Sequence, residues 1–270
     1  MQLSIGFSPC PNDTFIFDAL VNKKIDTEGI DFIPTLLDVQ GLNEKAMSRN
    51  FDVTKISYGV YAKISNSYII LNSGSALGFG VGPLLIAKSE DPVHDVENHQ
   101  IAIPGENTTA HFLFSNVYPN ASKKTFLRYD EIESFVLSGK GLGVIIHENR
   151  FTYQDKGLKK IIDLGSYWEQ STGNPIPLGG IVMDRKYGPH LQQQVDSLIK
   201  KSIEYSLVEY PALSDFIKTN AQEMSEDVMR KHIDLYVNEY SLSLGEKGKQ
   251  AIESMMDFFK LETALPIFVE

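Results

Sequence analysis

The chain has 270 residues, 42% of them hydrophobic and 22% charged, with a formal net charge of −10. Such a chain can bury a sizeable core, as one large domain or two smaller ones. The acidic balance, with no Lys/Arg-rich run, disfavours a nucleic-acid binder, and no stretch approaches the ~20 apolar residues of a membrane span.

The alternation of "QLSIGF" (2–7) predicts a first strand. The opening "MQLSIGFS" has no basic n-region and no long apolar run, so the expected compartment is the cytoplasm. "SPCPNDTF" (8–15) follows and holds the single cysteine, Cys10, between two prolines. One cysteine excludes an internal disulfide and any CxxC zinc site. Asn12 or Asp13 is placed to cap a helix reaching about Val21, with Phe15, Ile16, Ala19 and Leu20 on one stripe. "GIDFIPTLLD" (29–38), "LNEKAMSRN" (42–50) and "FDVTKIS" (51–57) read as strand, helix, strand. The series βαβαβ predicts a parallel sheet with right-handed crossovers.

"ALGFGVGPLLIAK" (76–88) reads as a glycine-rich bend and a strand leaving the first lobe, and "SEDPVHDVEN" (89–98) as a boundary. A second series follows. Its strands are "QIAIPG" (100–105), "TFLRY" (125–129) and "LGVIIHE" (142–148), and its helices "NTTAHFLFSNVY" (107–118) and "DEIESFVLSG" (130–139). In the second helix Asp130 is the expected cap, Glu133 the N3 partner and Gly139 the stop. "GNPIPLGG" (173–180) reads as a loop and "IVMD" (181–184) as a strand returning to the first lobe. Residues 189–209, 226–238 and 246–260 carry helical apolar stripes, the last behind a Ser243/Glu246 capping box.

Two α/β lobes, with the chain crossing over and returning, predict the periplasmic-binding-protein-like type II architecture. Each lobe would be a mostly parallel sheet flanked by helices, with a ligand cleft between the lobes. Residues 1–90 with 178–270 form the expected larger lobe, and 91–177 the smaller inserted one. Four stretches end strands or open helices and should meet at the cleft: Asn12 with its neighbours, "KISYG" (55–59) with Lys55 and Ser57, the Thr108-Thr109 pair, and "IIHENRF" (145–151). A helix start with two hydroxyls suits a carboxylate, although Thr108 also fits as a plain N-cap.

His147 follows an apolar strand, and an imidazole there can take and return a proton near neutral pH. Glu148 or Asn149 could orient it; the alternative is a histidine that merely ends the strand. His111 is a secondary candidate, His94 and His99 fall in the polar boundary, and His190 and His232 fall on or beside surface helices. Cys10 reads as a small residue in a rigid turn rather than as a nucleophile, since no basic group nearby would activate it. No metal motif and no phosphate-binding glycine loop is present.

"SPCPNDTF", "DVTKISYGVYA" (52–62), "GPLLIAK" (82–88), "IPGENTTA" (103–110), "GVIIHENRFTY" (143–153) and "DLGSYWEQSTGNPIPLGGI" (163–181) together resemble the 1,4-dihydroxy-6-naphthoate synthase family of the futalosine route to menaquinone. The match runs in order to about residue 185, and the helices beyond it carry no diagnostic motif. The resemblance implies a lyase that fragments cyclic dehypoxanthinyl futalosine, a small anionic substrate, without metal or organic cofactor. It implies His147 as the base, and Ser57, Thr108 and Thr109 as ligand-contacting hydroxyls. Chorismate dehydratase of the same pathway shares the fold, but "PCPNDTF" and the "IHE.RF" histidine argue against it. A transport solute-binding protein or a ligand sensor would share the architecture without the chemistry.

Overall fold

The computed structural model describes residues 1–88, 93–221 and 225–270. Strand β1 (Gln2–Phe7) buries Leu3, Ile5 and Phe7, as its alternation requires. It pairs in parallel with β2 (Asp31–Leu36) and β3 (Val53–Ser57), the crossovers being α1 (Pro11–Val21) and α2 (Val39–Met47). β2 lies at the sheet edge, where Pro34 costs no ladder bond. α3 (Tyr58–Ile64) starts directly from β3, and β4 (Tyr68–Ile70) and β5 (Ala76–Gly78) follow it.

The chain then builds a second sheet. β6 (Leu84–Lys88) enters it, and β7 (Ile101–Ile103), α4 (Thr109–Val117), β8 (Lys124–Phe126), α5 (Ile132–Leu137) and β9 (Leu142–Ile145) form the second βαβ series. The short α6 (Asn149–Thr152) leads to β10 (Leu158–Asp163) and α7 (Leu164–Thr172). The strand order is β10-β6-β9-β7-β8, parallel among β7, β8 and β9 and antiparallel at β6 and β10. β11 (Ile176–Asp184) returns to the first sheet, giving the order β2-β1-β3-β11-β4 with β5 also on β11. α8 (Pro189–Glu209), α9 (Asp215–Asn220), α10 (Glu226–Tyr236), α11 (Glu239–Leu242) and α12 (Gly245–Phe258) complete the chain.

The structure departs from the sequence expectations at particular points. Both sheets are mixed: the βαβ strands are parallel, but β11, β6 and β10 run antiparallel to their neighbours. The chain passes from the first sheet to the second between β5 and β6, since Leu84–Lys88 pairs with β9 and β10. Of the expected boundary at 89–98, residues 89–92 lie outside the described residues.

Several helix caps also differ. Cys10, in an extended conformation, caps α1 with Pro11 at its first position, so neither Asn12 nor Asp13 caps it. Ahead of α5 the Glu131 carboxylate accepts the Arg128 N–H, in place of an Asp130 cap. Ser243 makes no cap for α12, and Asn238 and Ser241 form the reciprocal cap in front of α11.

Candidate functional site

Between the sheets lies a cleft of about 670 Å³ of empty space, counting the part open to solvent. Its walls come from the end of β1 and start of α1, the β3–α3 junction, the start of α4, the segment after β9, the middle of β11 and the end of α10. All six residues singled out from the sequence line it: Asn12, Lys55, Ser57, Thr108, Thr109 and His147. They come from strand ends and helix starts, where parallel βα units leave backbone donors unpaired.

His147 stands two residues beyond β9, with φ of 57°, a left-handed conformation that a residue with a side chain adopts only under constraint. Its ring lies between Tyr129, at 5.2 Å between centroids, and His232, at 5.8 Å and 14° between planes. Burial pushes its pKa down to about 4; the Asp13 carboxylate opposes that and the Lys55 ammonium adds to it. The imidazole is therefore neutral at neutral pH. Neither Glu148 nor Asn149 hydrogen-bonds to it, and no group among the described residues hydrogen-bonds to its ring nitrogens. It faces the cleft as a free base.

Beneath it runs a polar chain joining α10 to α1 and β3. His232 Nε2 meets Asn12 Oδ1 at 2.9 Å, Asn12 Nδ2 donates to Asp13 Oδ1 at 2.9 Å, and Asp13 pairs with Lys55 at 3.0 Å. Asp13 also accepts from the Ser8 amide at 3.1 Å and the Ser8 hydroxyl at 2.7 Å. Lys55 donates in addition to the Gly74 carbonyl at 3.2 Å. Asp13 and Lys55 thus form a buried ion pair, with two of the three Lys55 donors taken, and Lys55 is the one cation on the cleft wall among the described residues. The sequence reading placed His232 on a surface helix. It is instead fully buried, on the α10 stripe of Met229, His232, Ile233 and Tyr236. That i, i+3, i+4, i+7 spacing was the signal for an inward face.

The expected carboxylate site is built differently from the hydroxyl trio. Thr108 is the N-cap of α4: its hydroxyl accepts from His111 N–H at 3.2 Å and donates to the Gly105 carbonyl at 2.9 Å. The Thr109 hydroxyl donates to the Leu178 carbonyl at 2.7 Å and accepts from Gly59 N–H at 3.1 Å, tying α4 to α3 and β11. Both hydroxyls are occupied, while the N–H groups of Thr109 and Ala110 have no acceptor among the described residues. Ser57 Oγ accepts from Asn43 Nδ2 at 3.1 Å, so its own hydrogen is available to the cleft.

Asn43 is fully buried on α2, takes the Ser57 amide on Oδ1 at 2.9 Å and reaches the Asn107 carbonyl at 2.7 Å. Nothing in the sequence distinguishes it from a surface asparagine. Two amides at a helix start and one hydroxyl form a donor set for an anion.

Cys10 is buried beside this site but does not line the cleft, and burial with the nearby Glu148 carboxyl pushes its thiol pKa up. The neutral thiol is a poor nucleophile. Cys10, His147 and Glu148 place one potential metal-ligand atom each within 4.8 Å of one another, a cluster drawn from two distant segments. A metal there would have to displace the thiol proton that burial stabilises. His111 bonds to the Glu106 carbonyl at 2.8 Å and to Lys124 at 3.2 Å, away from the cleft. His94 and His190 are exposed. No helix among the described residues is long and apolar enough to cross a membrane.

Comparison with known proteins gives the family and the fold. A family model described as menaquinone biosynthesis matches residues 3–260. A 1,4-dihydroxy-6-naphthoate synthase of Thermus thermophilus is 42% identical over 251 residues, covering 93% of this chain and 91% of the relative. The synthase of the same name from Streptomyces coelicolor is 36% identical over 271 residues, covering 98% and 95%. The alkanesulfonate-binding protein SsuA of Xanthomonas axonopodis pv. citri superposes with a TM-score of 0.70 at 14% identity, over 98% of this chain and 96% of that one, which speaks for the fold alone. The architecture is periplasmic-binding-protein-like, and the chain belongs to the menaquinone-biosynthesis family of the 1,4-dihydroxy-6-naphthoate synthases.

Proposed function

We propose that this protein is a carbon–carbon lyase that fragments cyclic dehypoxanthinyl futalosine to 1,4-dihydroxy-6-naphthoate, with His147 as general base. The observation that carries the reading is the imidazole itself: neutral, without a hydrogen-bond partner among the described residues, and lining the same cleft as the anion donors. Removal of one substrate proton by His147 leaves its bonding pair to form a ring double bond as the bond to the sugar-derived fragment breaks, and the product ring becomes aromatic. The broken bond's pair leaves with the fragment, which takes the proton back from His147. Aromatisation supplies much of the driving force, so the protein needs one base, an anchor for the carboxylate and a site with little water. The Thr109 and Ala110 amides and the Ser57 hydroxyl are the anchor in this reading, with Asn12 and Lys55 holding the wall.

The test is incubation of the pure protein with the cyclic futalosine, following naphthoate absorbance. Turnover is expected in the wild type, and His147→Asn should lower kcat about 10²–10⁴-fold, the usual share of a general base. Near-normal turnover in that variant would remove His147 from the base role. Tight binding without any product in the wild type would instead indicate a solute-binding protein.

A further inference from the structure

The polar chain under His147 ends in two atoms without partners. Asn12 Nδ2 faces the Asp13 carboxylate, which can only accept, so Asn12 Oδ1 faces His232. His232 Nε2 must then carry the hydrogen, and Nδ1 is left as a lone pair. That nitrogen is fully buried and unpartnered, and it lies 3.9 Å from Glu148 Oε2, which is also buried and unpartnered. Two facing acceptors with no donor between them are unfavourable in a site sealed from water. A single proton between them satisfies both. Glu148 directly follows His147, and His232 lies flat beneath the His147 ring.

We propose that Glu148 and His232 share one proton across the join between the lobes, and that this bond makes them positioning residues that hold His147 in its left-handed conformation, facing the cleft. The inference rests on the base role of His147, because it says what holds that base. The proton resides on the Glu148 carboxyl, which donates to His232 Nδ1; no covalent bond changes. Burial acts on both partners in this sense, raising Glu148 and lowering His232.

The charged and titratable surroundings are mixed. From its own lobe Glu148 is faced by the Glu133 and Asp130 carboxylates, which favour the acid form, and by Lys156, which opposes it. From the other side come Cys10 at the cap of α1 and Tyr236 on α10, both pushed toward their neutral forms, while His147, on the same segment as Glu148, faces His232. The 3.9 Å gap closes with a small rotation of the carboxyl and couples the segment after β9 to α10.

The test is histidine ¹⁵N NMR of the whole protein with kinetics on three variants. His232 should be the neutral Nε2–H tautomer from about pH 5 to 8, with Nδ1 showing the shift of a hydrogen-bond acceptor. That acceptor signature should be lost in Glu148→Leu and kept in Glu148→Gln, whose amide can donate in place of the acid. Glu148→Leu and His232→Gln should each lower kcat about 10–100-fold with KM within about threefold, as a misplaced catalytic group does. Glu148→Gln should recover all but a few-fold of the loss. The Nδ1–H tautomer at His232, ordinary titration near pH ~6.5, or equal kcat loss in Glu148→Gln and Glu148→Leu would overturn the proposal. Failure of the His147 base role would show separately, as turnover in His147→Asn with the NMR signature of the pair intact.

Discussion

His147 is neutral because of where it stands, and that has a consequence for acid. Folded, its pKa is about 4 against the ordinary 6.5. Between these values the unfolded chain binds a proton that the folded chain refuses, so stability rises with pH through this window and falls on acidification. His232 is shifted in the same direction; Glu148 is raised and acts oppositely, costing stability as pH climbs through its folded value. The urea midpoint of the wild type should therefore fall further between neutral pH and about pH 4.5 than that of His147→Asn, because the wild type alone carries the His147 penalty. In kcat/KM, the base limb should lie near pH 4 and the profile should be flat toward neutrality; a limb near 6.5 would mean an ordinary, solvated imidazole. Cys10→Ala should cost roughly 1 kcal/mol of stability and leave turnover within a few-fold, since the thiol is buried and neutral.

Residues whose chemistry matches their place in the chain were legible: His147 after an apolar strand, Ser57 at a strand end, Asn12 after a proline-held turn. His232 was not, because a histidine on a helix is weighed by its own polarity unless its three stripe-mates are weighed with it.

Among the elements, the start of α4 has the most to lose. The Thr109 hydroxyl satisfies Gly59 N–H and the Leu178 carbonyl at once. Thr109→Val should cost about 1–3 kcal/mol by leaving both partly buried groups unmet, read as a lowered denaturant midpoint with unchanged slope. Close packing is the other half of this contact. A Cβ on Gly59 would stand 2.8 Å from the Thr108 carbonyl and the Thr109 nitrogen, backbone atoms that cannot rotate away. Gly59→Ala should thus part α3 from α4 and raise KM more than it lowers kcat.

Full-length periodicity made α8, α10 and α12 readable, and cap chemistry misplaced the entries of α1 and α12 by one to three residues. β11 was half missed, because "NPIPLGG" carries the residues of a loop. Its glycines are there for space: a Cβ on Gly179 would meet the Ile56 carbonyl at 2.5 Å, and one on Gly180 the Tyr58 hydroxyl at 2.2 Å. Sequence patterning records which residues avoid water, and it does not record which backbones must touch.

At the scale of the molecule, the two-lobed plan followed from the repeated βαβ order. The stretch 84–87 is apolar throughout and would suit either sheet; pairing with β9 and β10 decides it. Arg150 secures that crossing by donating to the carbonyls of Gly80 and Gly82 and to Asp163. Between two lobes so joined, the cleft holds its own cation already spent. Lys55 is neutralised by Asp13, and the anion donors are amides and a hydroxyl rather than free charges. The molecule around them has a net charge of −10 and repels an anionic substrate at long range. Added salt screens that repulsion and leaves short hydrogen bonds inside the cleft nearly untouched. KM for an anionic substrate should accordingly hold steady or fall as ionic strength rises from about 0.02 to 0.3 M, reversing the usual behaviour of an anion site. A KM that climbs steeply with salt would mean that Lys55 leaves Asp13 and meets the substrate.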